Sequence, residues 1–369
     1  MDLHGPLSFL THWTYFTEPS NPAFEDLTAS GPYAGTTQAF TTGQKLRTRY
    51  DHLVNQSRTT TLWTCSSQRD IETAEYFARG FFGSHWHDDK SAHIVVVPET
   101  PDRGADTLTP GDTCLGYRED KATGHDYGYI KLALWQEAFS KRIIARLQKH
   151  AADVVLSAID IYSMMEMCGF EILARGSSPW CDVFSQDEWD DFEYGRDLLH
   201  FYRAGPGNKF AGVMGFLWLN ATQELLSNDA ARGVYFSFAH DGDIVPLMAT
   251  LGILNEDGSV QTLPADRRKR ERNWRTSDIV PMGGRTIFER IICDEDAAPY
   301  LAGNTYIKLS INDGVMENFT GSGERSNRLG TRLDDFQRFV QVKAKEFGDF
   351  RDVCGLSADA PPKITFLHQ

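Results

Sequence analysis

The sequence predicts an α/β fold, a mixed central sheet flanked by helices, carrying a mainly α-helical insertion. Three observations predict it. β-branched and aromatic runs at residues 59–64, 92–98 and 234–238 suit buried strands. Two of these runs pass through a short polar turn into an apolar stretch of helical character, at residues 70–82 and 244–254. Residues 129–226 then hold apolar positions at helical spacing between two strand-containing halves, so the core is read as 1–98 and 229–369 and the insertion as 99–228.

Bulk properties narrow the class. A chain of 369 residues with 41% hydrophobic and 12% aromatic residues can bury a sizeable core, and it holds no apolar run long enough to span a bilayer. The net charge of −14 repels nucleic acid and polyphosphate alike. An anionic substrate therefore needs a locally basic pocket, and neither nucleic acid nor membrane is an expected partner. Six cysteines, Cys65, Cys114, Cys168, Cys181, Cys293 and Cys354, are too scattered for the close pairs of a zinc site. Sequons at Asn55, Asn220 and Asn318 are candidate glycosylation sites, and with the cysteines they lean towards an oxidising, secretory setting. Yet the first residues show neither a basic region nor a continuous apolar one, so no signal peptide is visible.

Taken in order, residues 41–54 read as a helix and 59–64 as a strand. Cys65-Ser66-Ser67-Gln68-Arg69 then leads into a helix over 70–82, with Ile71, Ala74, Phe77 and Phe81 on one stripe. Residues 92–98 form a strand, and 99–127 look irregular. Helices follow over 129–150 and 153–173, carrying Ile143, Ile144, Leu147, Val154, Ile159, Met164 and Met165; the methionines are core material. Ser185 to Glu188 form a capping-box pattern for a helix through residue 199. Residues 200–208 turn, and 213–226 return to helix. The dense basic run at 265–275 suits a phosphate-attracting rim, a nuclear address or a solvated loop. Strands at 278–293 and 306–311 and an amphipathic helix at 333–347 close the chain.

Residues 233–254 organise the rest. His240-Asp241 stands between a strand and a helix, where open α/β sheets place ligands and helix amides face an anion. The same residues also suit a plain helix cap by Asp241 or Asp243. Strand, dipeptide and helix together resemble the His-Asp motif of the histidine acid phosphatases, the fungal phytase and acid phosphatase branch. Thr64-Cys65-Ser66-Ser67-Gln68-Arg69 resembles that family's second arginine motif.

The resemblance implies a phosphomonoester hydrolase that needs no metal or cofactor and acts on a small phosphorylated substrate. In it His240 hydrogen-bonds the phosphoryl group, Asp241 protonates the leaving oxygen, and Arg69 binds phosphate. His200, which falls near a substrate-binding lysine of the phytases, is the second candidate phosphate-binding residue, and the departure from lysine there puts phytate in doubt. The resemblance also implies disulfides Cys168–Cys181 and Cys114–Cys354 and a secretory location, and leaves the pairing of Cys65 and Cys293 open. The family's attacking histidine lies in Arg-His-Gly-x-Arg-x-Pro, which this sequence does not contain. His4-Gly5-Pro6 lacks both flanking arginines. Two readings follow: a phosphatase chain missing its catalytic loop, or a phosphatase-like scaffold that binds or transforms another small molecule.

Overall fold

Strand β1 (Thr60–Cys65) is the middle of a three-stranded parallel sheet, in the order β2, β1, β3, with β2 at Ala92–Val97 and β3 at Phe236–Phe238. Five of the six β1 residues are buried, so both faces of the strand are covered, with Thr60 and Thr64 buried beside Leu62, Trp63 and Cys65. Thr64 is in register with Val96 on one side and Phe238 on the other. The carboxyl ends of all three strands therefore open on one edge. This computed structural model describes residues 3–14, 34–151, 153–252, 254, 262–293, 304–317, 319–320 and 329–367.

Helices α1 (Gly35–Tyr50) and α2 (Gln68–Phe82) pack together, and α2 covers the parallel sheet. Their crossing depends on two glycines. A Cβ at Gly80 would stand 2.0 Å from the Phe40 carbonyl oxygen, and one at Gly43 would stand 2.3 Å from that of Phe77. Gly80→Ala is expected to cost about 1–3 kcal/mol through overpacking, read as a lower urea midpoint; an unchanged midpoint would contradict this crossing.

The stretch read as irregular contains two short helices, α3 (Pro110–Thr113) and α4 (Leu115–Glu119). A helical layer follows, made of α5 (Tyr127–Leu147), α6 (Ala158–Arg175) and α7 (Gln186–Arg203). Helix α6 starts later than its apolar pattern predicts, because Ser157 and Asp160 form a capping box there. That start leaves Ile159 57% exposed and turns Ile161, Tyr162 and Met165 inward. Leu7, in a 3-10 turn at Gly5–Thr11, is buried in the same cluster as Leu132, Trp135 and Ile143.

Helix α8 (Ala211–Ser227) packs closely on α9 (Asp241–Leu251). The short helix α10 (Thr276–Ile279) takes the beginning of the segment read as strand, so β4 is only Thr286–Ile292. Strand β5 (Thr305–Ile311) pairs antiparallel with β4, with β6 (Gly314–Met316) and with β7 (Thr331–Arg332). Helices α11 (Leu333–Phe347) and α12 (Phe350–Cys354) end the fold. The result is the expected α/β class.

Cys114–Cys354 and Cys168–Cys181 are disulfides, while Cys65 and Cys293 are buried and free. Asn55 is exposed, whereas Asn220 lies within α8 and donates to Glu224; Asn318 lies outside the described residues. The basic run proves to be a strap. Arg268 and Arg272 keep only 9% and 3% of their side-chain exposure and pair with Asp187, Asp191, Glu193 and Asp197 of α7. Only part of the run, including Arg267 and Arg270, is solvated.

Candidate active site

The shared edge of β1, β2 and β3 collects the candidate site. Chain leaving β1 runs through Ser66 and Ser67 into the first turn of α2, which carries Arg69 and Asp70. Chain leaving β2 reaches Glu99. Chain leaving β3 reaches His240, whose extended backbone (φ −72°, ψ 163°) makes it the N-cap of α9, with Asp241 as the first helical residue. Parallel pairing thus brings together side chains that are far apart in sequence.

His240 lies among charged groups. Its Nδ1 is 3.0 Å from Arg69 Nη2 and 3.1 Å from Asp70 Oδ2. Its Nε2 is 2.5 Å from Glu99 Oε1, 3.4 Å from Ser67 Oγ and 3.6 Å from Cys65 Sγ. Ser66 and Ser67 donate to the other Glu99 oxygen at 2.9 and 3.3 Å. Burial works against ionisation of Glu99, but hydrogen bonds from His240 and Ser66 outweigh it and hold the carboxyl below its ordinary value. Asp70 is pushed the other way, chiefly by burial.

Asp241 faces a second group of side chains. Its Oδ1 accepts from the Gly242 amide at 2.7 Å, and its Oδ2 is 3.5 Å from His200 Nε2. Arg196, His200 and Arg203 are spaced four and three residues apart, so α7 presents them on one face. Arg196 Nη2 is 3.2 Å from His200 Nε2. Arg203 Nη2 stands 3.4 Å from where a Cβ on Gly242 would lie, beside the start of α9. Burial opposes ionisation of Asp241, yet His200, Arg203, the Gly242 amide and Arg196 together hold its carboxyl below the ordinary range. Asp243, 6% exposed, is pushed well up by burial and by Asp112.

His200 is 1% exposed, and burial pushes its pKa down to about 4 against the pull of Asp241. It is a neutral imidazole beneath Asp241 and offers no cation at the cleft surface. With Arg196 donating to Nε2, the proton sits on Nδ1, which is buried and has no hydrogen-bond partner among the described residues. Of the residues singled out from sequence, Arg69 meets His240, while Asp241, the next residue along the chain, turns to His200. His4 lies elsewhere, its ring 5.4 Å from that of His150.

The model of the histidine phosphatase superfamily, branch 2, matches residues 1–312. The chain belongs to this family. A histidine phosphatase described as a phytase, from Candida albicans, is 33% identical over 98% of this chain and 75% of its own length. An acid phosphatase of Komagataella pastoris is 31% identical over the same shares. The crystal structure of a phytase from D. castellii superposes with a TM-score of 0.87 at 27% identity, covering 99% of this chain and 76% of that one.

Family likeness rests on the whole α/β frame, not on the His-Asp dipeptide alone. Four polar residues of the cleft escape the sequence reading. Glu99 stands just past the strand read at 92–98, and Asp70 is the first residue of the helix read at 70–82, where an acid reads as ordinary first-turn chemistry. Arg196 and Arg203 carry a usable signal, the spacing of ionisable groups along one face of α7 around His200.

Proposed function

We propose that this histidine phosphatase takes the phosphoryl group of a small phosphomonoester at the cleft of Arg69, His240 and Asp241. The observation that carries the reading is the 3.0 Å approach of the Arg69 guanidinium to the His240 ring, beside the amino end of α9. A guanidinium and helix amides are suited to non-bridging oxygens, and in this reading they neutralise charge that grows in the transition state. Asp241 stands next to them as the acid for the departing oxygen. His200 acts through Asp241 as a positioning residue.

The depressed Asp241 carboxyl has a consequence. In the free site the neighbouring arginines keep it ionised, the wrong state for an acid. A phosphate anion that engages those arginines restores its affinity for a proton. Phosphate binding near pH 5 is therefore expected to take up a proton, read by calorimetry in buffers of different ionisation enthalpy. Binding heats independent of the buffer would contradict that role for Asp241.

The sequence contains no Arg-His-Gly-x-Arg-x-Pro, and no other residue is assigned as nucleophile. In a second reading, the same site captures a phosphorylated or other small molecule without turning it over. The experiment pairs phosphate affinity with release of p-nitrophenol from p-nitrophenyl phosphate between pH 4 and 7. Binding with release supports hydrolysis, binding alone supports capture, and no binding removes both. Where turnover is found, Asp241→Asn is expected to lower kcat by roughly 10²–10⁴-fold with KM little changed, because the acid acts in the transition state. Two disulfides support an oxidising, secretory compartment.

A further inference from the structure

The carboxyl ends of the three parallel strands also assemble a set of donors of unlike chemistry. Cys65 Sγ, Glu99 Oε1 and His240 Nε2 all lie within 4.8 Å of one another. We propose that Cys65, Glu99 and His240 form a binding site for a borderline-soft divalent cation of the zinc class, with a fourth position open to the cleft. One thiolate, one imidazole and one carboxylate are the donor types that select such a cation over magnesium or calcium.

The geometry is close to what the ion needs. Bonds of about 2.0–2.3 Å around a tetrahedral centre put ligand atoms roughly 3.3–3.6 Å apart. Sulfur and Nε2 already stand at 3.6 Å, whereas the 2.5 Å between Nε2 and Oε1 has to lengthen for an ion to sit between them. Supporting contacts aim the donors. Asp70 is 8% exposed, and its Oδ2, which has no hydrogen-bond partner among the described residues, stands 3.1 Å from Nδ1. Binding an ion through Nε2 therefore requires the His240 proton, which faces Glu99 when Arg69 donates to Nδ1, to move to Nδ1, where Asp70 Oδ2 lies 3.1 Å away to receive it. Ser66 and Ser67 occupy Glu99 Oε2 and leave Oε1 for the ion.

Charge points the same way. Two anionic ligands, the Cys65 thiolate formed on binding and the Glu99 carboxylate, balance the charge of a dication. On binding, the S–H bond breaks, its proton leaves to solvent, and a sulfur–metal bond forms without electron transfer. Side-chain exposures of 18% at Glu99 and 19% at His240 supply the route in from the cleft to the fully buried sulfur. Sequence spacing looks for paired cysteines and histidines and misses this set, whose members are neighbours only through strand pairing.

The site stands on its own geometry. One consequence rests on the phosphatase reading: a cation on His240 excludes phosphate from it. The test is titration of the chelator-stripped full chain with Co²⁺. One equivalent is expected to produce a thiolate-to-cobalt charge-transfer absorption that Zn²⁺ abolishes by displacement. Cys65→Ser should remove that absorption, and Cys293→Ser, altering the other free cysteine, should leave it. Asp70→Asn should keep the absorption and lower affinity roughly 10- to 100-fold. X-ray absorption on the zinc-loaded wild-type chain needs no variant and should find a single sulfur among nitrogen and oxygen neighbours. No charge-transfer band in the wild type, its survival in Cys65→Ser, or a zinc ion without sulfur overturns the proposal. Phosphate affinity that ignores Arg69 would instead sink the phosphatase reading and leave the cobalt spectrum untouched.

Discussion

Arg69→Ala is expected to weaken inorganic phosphate binding roughly 10- to 100-fold, the equivalent of the 1.5–3 kcal/mol that a charged hydrogen bond contributes. The side chain is 60% exposed, so its removal leaves little buried surface unfilled and the variant should fold as the parent does. What it removes is a permanently charged planar donor beside His240. Arg69→Lys should recover only part of the loss, because an ammonium cannot present two parallel donors to one phosphoryl group. Calorimetric titration of wild type and both variants at one fixed salt concentration decides it. Equal affinities across the three would take Arg69 out of the phosphate site.

Arg272→Met is expected to destabilise the fold by about 3–5 kcal/mol at pH 8, the cost of leaving a buried charge without its partner. Asp197 has no exposed side-chain area, and the Arg272 side chain keeps 3%. The pair meets at 2.5 Å, the Thr276 amide adds a bond to Asp197 at 2.7 Å, and the guanidinium lies 5.1 Å from the Tyr194 ring centre. Burial, opposed by Arg272, raises the Asp197 pKa from 3.8 to about 6 in the fold. The native state therefore binds a proton between those values that the unfolded chain does not. Stability from this group rises as pH falls through 6 and levels off below 3.8. In Arg272→Met the unpaired carboxyl takes up its proton more readily still, so the loss measured by urea denaturation should be smaller at pH 5 than at pH 8. A loss below about 1 kcal/mol at pH 8 would mean that the strap over α7 contributes little.

These two arginines show where sequence reading succeeds and where it stops. Arg69 is legible because strand, small-residue turn and helix follow one another without a break, and each is set by its own local chemistry. Arg272 is not. A run of basic residues reads alike whether it is solvated or folded down, and only the acid face of α7 turns Arg268 and Arg272 inward.

Local order along the chain determined the α/β class, the main helices, and the placing of Arg69, His240 and Asp241 at element ends, because propensity, capping and periodicity act over a few residues. Tertiary structure alone decided that Glu99 and Asp70 flank His240, that Arg196 and Arg203 face Asp241, and that His200 lies buried and neutral. The reason is that strand register and helix packing set distances between residues remote in sequence. Burial then sets their charge, and neither quantity is written in any local stretch.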